Sequence, residues 1–106
     1  MTTRQSAPKR ALRLGELRAH AEQIRAIADR YGVCNVRVFG SVARDTATDE
    51  SDLDLLVDLA PGHGYFALAG FALDVEDLLG VFTQIATPAG LKPRMRERIL
   101  TDAVAL

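Results

Sequence analysis

The residues best suited to chemistry in this 106-residue chain are two aspartates, Asp52 and Asp54, within the segment SDLDLLVD at 51–58. Apolar residues alternate with aspartates there, a pattern typical of a β-strand, in which residues i and i+2 point to one face. The two carboxylates would then lie about 6–7 Å apart at the backbone and repel one another. A divalent cation relieves that repulsion, and oxygen ligands suit Mg²⁺ or Mn²⁺. Asp58, further along the strand, is expected to be solvated.

A second pair of residues, Gly40 and Ser41, is suited to holding phosphate. The segment before Gly40 predicts a strand, and residues 41–44 are typical of the first turn of a helix. Glycine lets a phosphate approach the backbone, serine offers a hydroxyl and an N–H, and a helix N-terminus favours anions. The aspartates alone would equally fit a polar strand face at a sheet edge, but a phosphate-binding turn followed by a metal site indicates nucleotide chemistry.

Two motifs carry a family resemblance. The motif GSVAR at 40–44, followed by SDLDL at 51–55, resembles the minimal nucleotidyltransferases of the DNA polymerase beta superfamily. The segments TPAGLKP at 87–93 and RERIL at 96–100 also resemble the last part of that family. The resemblance extends from about residue 17 to the C-terminus. It implies an α/β (α+β) fold of the polymerase-beta-like type, a small mixed β-sheet with helices packed on it.

The resemblance also implies roles for individual residues. Gly40 and Ser41 would hold the terminal phosphates of ATP, the implied substrate, and Arg44 would neutralise phosphate charge or pair with a nearby acid. Asp52 and Asp54 would be catalytic residues that bind Mg²⁺ or Mn²⁺. In the family they act with a third carboxylate at a site for two metal ions. Such ions lie about 3.5–4 Å apart and clamp the attacking and leaving oxygens.

The resemblance over TPAGL at 87–91 implies that the position of the third carboxylate is Gln84, and its strand segment VFTQIA at 81–86 contains no acid. Glutamine offers an oxygen, but it is neutral and cannot act as a general base. Two functions therefore remain open. The first is an enzyme that transfers a nucleoside monophosphate, AMP from ATP, to a hydroxyl. The alternative is a catalytically weakened protein of the same fold that acts by binding. A purely structural domain is a third and less specific interpretation.

The resemblance also implies a partner protein. Small members of the family resemble antitoxins that pair with a helical toxin of the HEPN type. A tyrosine of such a toxin is then the implied acceptor, the chain is an antitoxin, and the pair forms a hetero-oligomer. The formal net charge of −1 gives no case for general nucleic-acid binding. A chain of this length also leaves little room for its own acceptor-binding domain, which favours a protein partner.

The periodicity of apolar residues predicts the elements that position the candidate site. Spacings of three and four predict helices, and alternation predicts strands. The predicted order is one helix over about 14–31, a strand over 33–39, a short helix from Ser41, the aspartate strand, a helix that ends at Gly80, a strand over 81–86 and a last helix that begins near Pro93 and includes Val104. This alternation indicates a small α/β sheet with helices against one face.

Length and composition complete the expectations. We predict one domain over 13–106, preceded by a flexible basic arm over 1–12. The single Cys34 excludes an internal disulfide and is predicted to be a small buried residue. No apolar run approaches the roughly 20 residues of a transmembrane helix, and no signal peptide is recognised. We therefore expect no membrane contact and a cytoplasmic location.

Overall fold

A computed structural model describes residues 11–106, and its centre is a mixed sheet of four strands. The strands are β1 (Val33–Phe39), β2 (Leu53–Leu59), β3 (Thr83–Ala86) and β4 (Val104–Ala105). Their order across the sheet is β3-β2-β1-β4. β1 pairs antiparallel with β2 and with β4, whereas β2 pairs parallel with β3. The predicted mixed sheet is therefore confirmed, and the aspartate strand β2 lies inside it.

Five helices accompany the sheet. They are α1 (Leu14–Ala19), α2 (Ala21–Tyr31), α3 (Gly40–Ala43), α4 (Tyr65–Leu79) and α5 (Pro93–Asp102). A short 3-10 helix, Pro88–Gly90, lies between β3 and α5. α2 and α4 contact each other, and both contact β1.

The main core lies between the sheet and the layer formed by α2 and α4. Leu53, Leu55 and Val57 of β2 are buried in it. The helices and neighbouring strands contribute further buried side chains: Leu17, Ile24, Ile27, Ala28, Val33, Val38, Phe71, Val75, Leu79 and Val81. Because successive side chains of a strand point to opposite faces, this burial leaves Asp54 on the other face of β2, and Asp52 directly precedes the strand.

The layer of helices is also joined by a polar contact. The hydroxyl of Tyr31 in α2 donates a hydrogen bond to Asp74 Oδ2 in α4 over 2.8 Å. Arg30 lies 3.8 Å from the same carboxylate. Asp74 is therefore engaged within the helix layer.

The helix predicted over about 14–31 is two helices. The chain breaks at His20, whose φ and ψ of −103° and 13° depart from helical values. The ring Nδ1 of His20 lies 3.0 Å from the Glu16 carbonyl oxygen, within hydrogen-bonding distance. Periodicity failed to predict the break because both helices place their apolar residues against the same core.

The end of the chain also differs from its prediction. α5 ends at Asp102, and Val104 belongs to β4, which pairs with Arg37 and Val38 of β1. Helical spacing of apolar residues continues as far as Val104, so local periodicity could not distinguish a longer α5 from a separate strand. Pairing with a strand more than 60 residues earlier in the chain decides between them.

The prediction for Cys34, near the start of β1, is wrong. Cys34 is exposed rather than buried. The register of β1 against β2 shifts between Cys34 and Arg37, where Asn35 adopts a φ of 54°, and this bulge breaks the alternation of buried and exposed residues. Asp58 is also more than a solvated carboxylate, since its Oδ1 accepts a hydrogen bond from Arg37 over 3.1 Å and its Oδ2 accepts one from Asn35 over 2.9 Å.

The predicted basic arm lies outside the described residues over its first ten positions. Leu12, near the predicted boundary, is buried in the main core. Among residues 11–106, no helix is both long enough and apolar enough to cross a membrane.

Candidate active site

Strand pairing places two predicted site residues, Asp54 and Gln84, side by side in one row across the sheet, and the residue before Gly40 completes this row. Asp54 in β2 pairs with Phe39 at the end of β1 and with Gln84 in β3. Phe39 directly precedes Gly40, so the predicted phosphate-binding turn begins where the row ends. Paired residues on adjacent strands point to the same face. The row therefore places Gln84, Asp54 and the Gly40 turn side by side.

Asp52 is tied to β3 through Gln84. The side-chain nitrogen Nε2 of Gln84 donates a hydrogen bond to Asp52 Oδ2 over 2.7 Å. The two residues are 32 positions apart in the chain, so only the parallel pairing of β2 with β3 brings them together. Gln84, at the position predicted for a third carboxylate, therefore presents an N–H donor to Asp52.

Asp54 lies against the Gly40 turn. Gly40 adopts a φ of 75°, in the left-handed region that favours glycine. A Cβ at this position would lie 2.5 Å from Asp54 Oδ2, closer than any real contact of that kind. The turn therefore needs glycine both for its backbone conformation and for the approach of the Asp54 carboxylate.

The surroundings of Asp54 alter its ionisation. Burial of the carboxyl group raises the pKa of Asp54 above the usual range of an aspartate, and the neighbouring charge of Asp52 raises it further. The guanidinium of Arg44 acts in the opposite direction. Asp54 is therefore influenced by the negative charge of Asp52 and the positive charge of Arg44. A bound cation would relieve the repulsion between the two carboxylates.

Ser41 and Arg44 lie in the short segment that follows β1. Ser41 is the second residue of α3, and Arg44 follows its last residue. α3 has only four residues, so its dipole is small and any anion binding would depend mainly on local N–H groups and Arg44. Arg44 is exposed, and within residues 11–106 it makes no ion pair.

The basic residues around the start of α5 divide into two groups. Arg96 is engaged, because it donates to the carbonyl oxygens of Pro88 over 2.8 Å and Leu91 over 3.2 Å. It thereby holds the 3-10 helix against α5, a role that the sequence pattern did not predict. Lys92, Arg94 and Arg98 are exposed. α5 contacts α3, so this basic helix lies beside the turn that carries Gly40 and Ser41.

The site contains two carboxylates and not three. Across the described part of the chain, no group of three or more histidine, cysteine, aspartate or glutamate side chains is arranged to hold a metal ion. Of the acids in α4, Asp74 is bonded to Tyr31 and Glu76 Oε2 accepts from the backbone N–H of Thr83 over 3.0 Å. The donor set of Asp52 and Asp54 still suits a divalent cation, because both offer hard anionic oxygens on one face.

Comparisons with known proteins show the family of the chain. The model of the nucleotidyltransferase domain family matches residues 20–106. Protein adenylyltransferase MntA of Thermococcus cleftensis is 31% identical over 88 residues, which cover 83% of this chain and 86% of that protein. An inferred protein adenylyltransferase of Methanocaldococcus jannaschii is 32% identical over 75 residues, 71% of this chain and 81% of that protein.

Solved structures have the same fold. The structure of an inferred minimal nucleotidyltransferase superposes with a TM-score of 0.80 and 44% identity, covering 90% of this chain and 97% of the other. A crystal structure of a mutant MntA–HpeT toxin–antitoxin complex gives a TM-score of 0.63 with 13% identity, covering 77% of this chain and 67% of the other. At that identity the second likeness shows the fold alone.

Proposed function

The chain belongs to the nucleotidyltransferase domain family, and from this premise we propose that it transfers AMP from ATP to a hydroxyl group of a partner protein. The observation that carries the proposal is the row formed by Gly40, Asp54 and Gln84, with Asp52 bonded beside it. It combines a turn that admits phosphate with two carboxylates that suit a metal. The relatives named as protein adenylyltransferases support AMP as the transferred group.

In the proposed reaction the acceptor oxygen forms a bond to the α-phosphorus of ATP. The bond from that phosphorus to the bridging oxygen breaks, pyrophosphate leaves with the electron pair, and the hydroxyl proton passes to water. Asp52 and Asp54 would hold Mg²⁺ or Mn²⁺ through their carboxylate oxygens. When bound, the ion neutralises phosphate charge and orients the triphosphate.

The remaining site residues would hold the nucleotide. Gly40 and Ser41 would offer backbone N–H groups to the terminal phosphates, and Ser41 would also offer its hydroxyl. Arg44 is exposed beside Asp54 and would neutralise phosphate charge. α5 contacts α3, so the exposed cations at the start of α5 would add positive charge near this turn.

We further propose that the acceptor is a tyrosine of a HEPN-type toxin and that the chain is its antitoxin. Two findings support a toxin partner: a relative is the protein adenylyltransferase MntA, and a structure of the same fold comes from an MntA–HpeT toxin–antitoxin complex. The proposal places the protein in the cytoplasm, where ATP is made and used.

A second candidate function is favoured by Gln84. A neutral amide cannot take a proton from the acceptor, so transfer would be slow. The protein would then neutralise its toxin by binding it, with or without a nucleotide. If the neutrality of Gln84 limits the chemistry, Gln84→Asp should increase the rate of transfer, whereas an unchanged rate would show that the limit lies elsewhere.

The experiment that tests the proposal is a transfer assay with ATP labelled at the α-phosphate, Mg²⁺ and the HEPN toxin. Wild type would be compared with Asp52→Asn and Asp54→Asn. Asp29→Asn is the matched control, because Asp29 is exposed on α2 near the opposite end of β1. We expect label on the toxin with wild type and the control only. An inhibited but unlabelled toxin would overturn transfer in favour of binding.

A further inference from the structure

We propose that Gln84 restricts this site to a single divalent cation, because its amide occupies the side of Asp52 that a second cation would need. This inference rests on the proposed function, which places a metal at Asp52 and Asp54. It concerns how many ions the site holds rather than which reaction it performs. A site with two ions is the alternative that the family resemblance implies.

The first observation is the direction of the hydrogen bond. Gln84 donates through Nε2 to Asp52 Oδ2 over 2.7 Å, a short distance for an N–H···O bond. The N–H group directs a partial positive charge at that oxygen. A cation on the β3 side of Asp52 would compete with the N–H for the same lone pairs, and the Gln84 amide would have to give up this hydrogen bond and rotate before its oxygen could face the cation.

The second observation is that the two carboxylates face different neighbours. Asp52 Oδ2 is engaged by Gln84 in β3, whereas Asp54 Oδ2 lies against Gly40 at the end of β1. An ion shared by Asp52 and Asp54 would therefore lie between them. A second ion about 3.5–4 Å away would need an oxygen ligand beyond one of the pair. On the β3 side that place is taken by the Gln84 amide.

The third observation is the charge of the site. The two carboxylates supply two negative charges, which balance the charge of one divalent cation. The charge of a second cation would have to be balanced by phosphate alone. The described residues offer no third acidic ligand at the site, and glutamine stays neutral at every accessible pH. Arg44 adds positive charge near Asp54. Each of these features disfavours a second ion.

The number of ions can be measured without any transfer reaction. The probe is Mn²⁺ with the α,β-methylene analogue of ATP, which cannot release pyrophosphate, and the readout is electron paramagnetic resonance with protein in excess over nucleotide. Bound Mn²⁺ is counted per nucleotide, and two ions about 3.5–4 Å apart also give a spin-coupled spectrum. Wild type should bind one Mn²⁺ with an uncoupled spectrum.

The variant Gln84→Glu keeps the shape of the side chain, removes the N–H donor and adds a third carboxylate. It should bind two Mn²⁺ with a coupled spectrum, a twofold increase in the count. Gln84→Asp should do the same and provides a second test. The matched control is Gln23→Glu, which adds the same charge at an exposed position of α2 and should still bind one ion.

Three results would overturn the inference. Two coupled ions in wild type would do so while leaving the proposed transfer intact. One ion in both Gln84→Glu and Gln84→Asp would show that Gln84 does not set the number. No bound ion in wild type would also remove the metal from Asp52 and Asp54, and the proposed function would fail with it.

Discussion

Asp52 and Asp54 differ in their surroundings although only one residue separates them: Asp52 directly precedes β2 and Asp54 is its second residue. Asp52 accepts a hydrogen bond from Gln84, whereas Asp54 lies against the backbone of Gly40. The pKa of Asp54 is raised, first by burial and then by the charge of Asp52. At the scale of the residue, Asp54 is therefore a carboxylate that would gain from a bound cation.

The first prediction is that Asp54→Asn abolishes Mg²⁺-dependent nucleotide binding. The amide keeps the size of the side chain but removes one of two negative charges, so affinity should fall by more than tenfold, or about 1.4 kcal/mol. Isothermal titration of the protein with ATP and Mg²⁺ measures this change. Asp29→Asn should bind as wild type does, and full binding by Asp54→Asn would refute the site assignment.

The second prediction concerns pH. A metal ligand must be deprotonated, and a raised pKa keeps Asp54 protonated to a higher pH than an ordinary aspartate. Mn²⁺ affinity should therefore be constant above the pKa of Asp54 and fall by about tenfold per pH unit below it. Titrations with Mn²⁺ from about pH 7 down to about pH 3 would locate the transition relative to the usual aspartate pKa of about 3.9. A transition at or below that reference would contradict the raised pKa.

At the scale of the element, the site depends on the turn between β1 and α3 and on the position of β2. β2 lies between β1 and β3 in the sheet, so its aspartates meet Gly40 on one side and Gln84 on the other. The turn must bring the backbone close to Asp54, and Gly40 meets that need with a φ of 75°.

The third prediction is that Gly40→Ala destabilises the fold and weakens nucleotide binding. The left-handed backbone costs a non-glycine residue about 1–2 kcal/mol, and the added methyl would lie 2.5 Å from Asp54 Oδ2. Urea denaturation measures the free energy of unfolding, and titration with ATP measures binding.

Two other glycines provide controls for this substitution. Gly62 has a φ of 89°, and no atom lies within 4 Å of the place that an added methyl would take, so Gly62→Ala should show the backbone cost without the loss of binding. Gly15 lies in α1 with the same open space and no positive φ, and Gly15→Ala should be neutral or stabilising by up to about 1 kcal/mol. Equal losses in Gly40→Ala and Gly62→Ala would show that contact with Asp54 is unimportant.

At the scale of the whole molecule, the helix layer supports the sheet from the face opposite the aspartates. Phe71 and Val75 of α4 are fully buried with Leu55 of β2 in the same core. The hydrogen bond from Tyr31 to Asp74 joins α2 to α4 over this core. The site therefore lies on a sheet whose far side is held by packing and by a bond between helices.

The fourth prediction is that Tyr31→Phe lowers the free energy of unfolding, because it removes a hydrogen bond to a carboxylate and keeps the ring. Urea denaturation measures the change. Tyr65→Phe is the matched control, since Tyr65 is 87% exposed and its variant should unfold as wild type does. ATP affinity should be unchanged in both variants, and equal stabilities of the two would contradict the proposed importance of the Tyr31 bond.

The sequence was sufficient for features that depend on neighbours along the chain. The apolar pattern predicted β1 with its observed bounds, Val33–Phe39, and the end of α4 at Gly80. The spacing of Asp52 and Asp54 predicted that both point to one face, although β2 begins at Leu53, after Asp52, and the two motifs at 40–44 and 51–55 indicated the family. Periodicity and motif spacing are local properties, so a single sequence contains them.

Only the tertiary structure decided the features that depend on residues far apart in the chain. The bond between Gln84 and Asp52 requires the parallel register of β2 and β3, and β4 exists because Val104 pairs with β1. Cys34 is exposed because a bulge shifts the strand against its partner. Register and bulges follow from the packing of whole strands, and the local pattern of apolar residues does not contain that information.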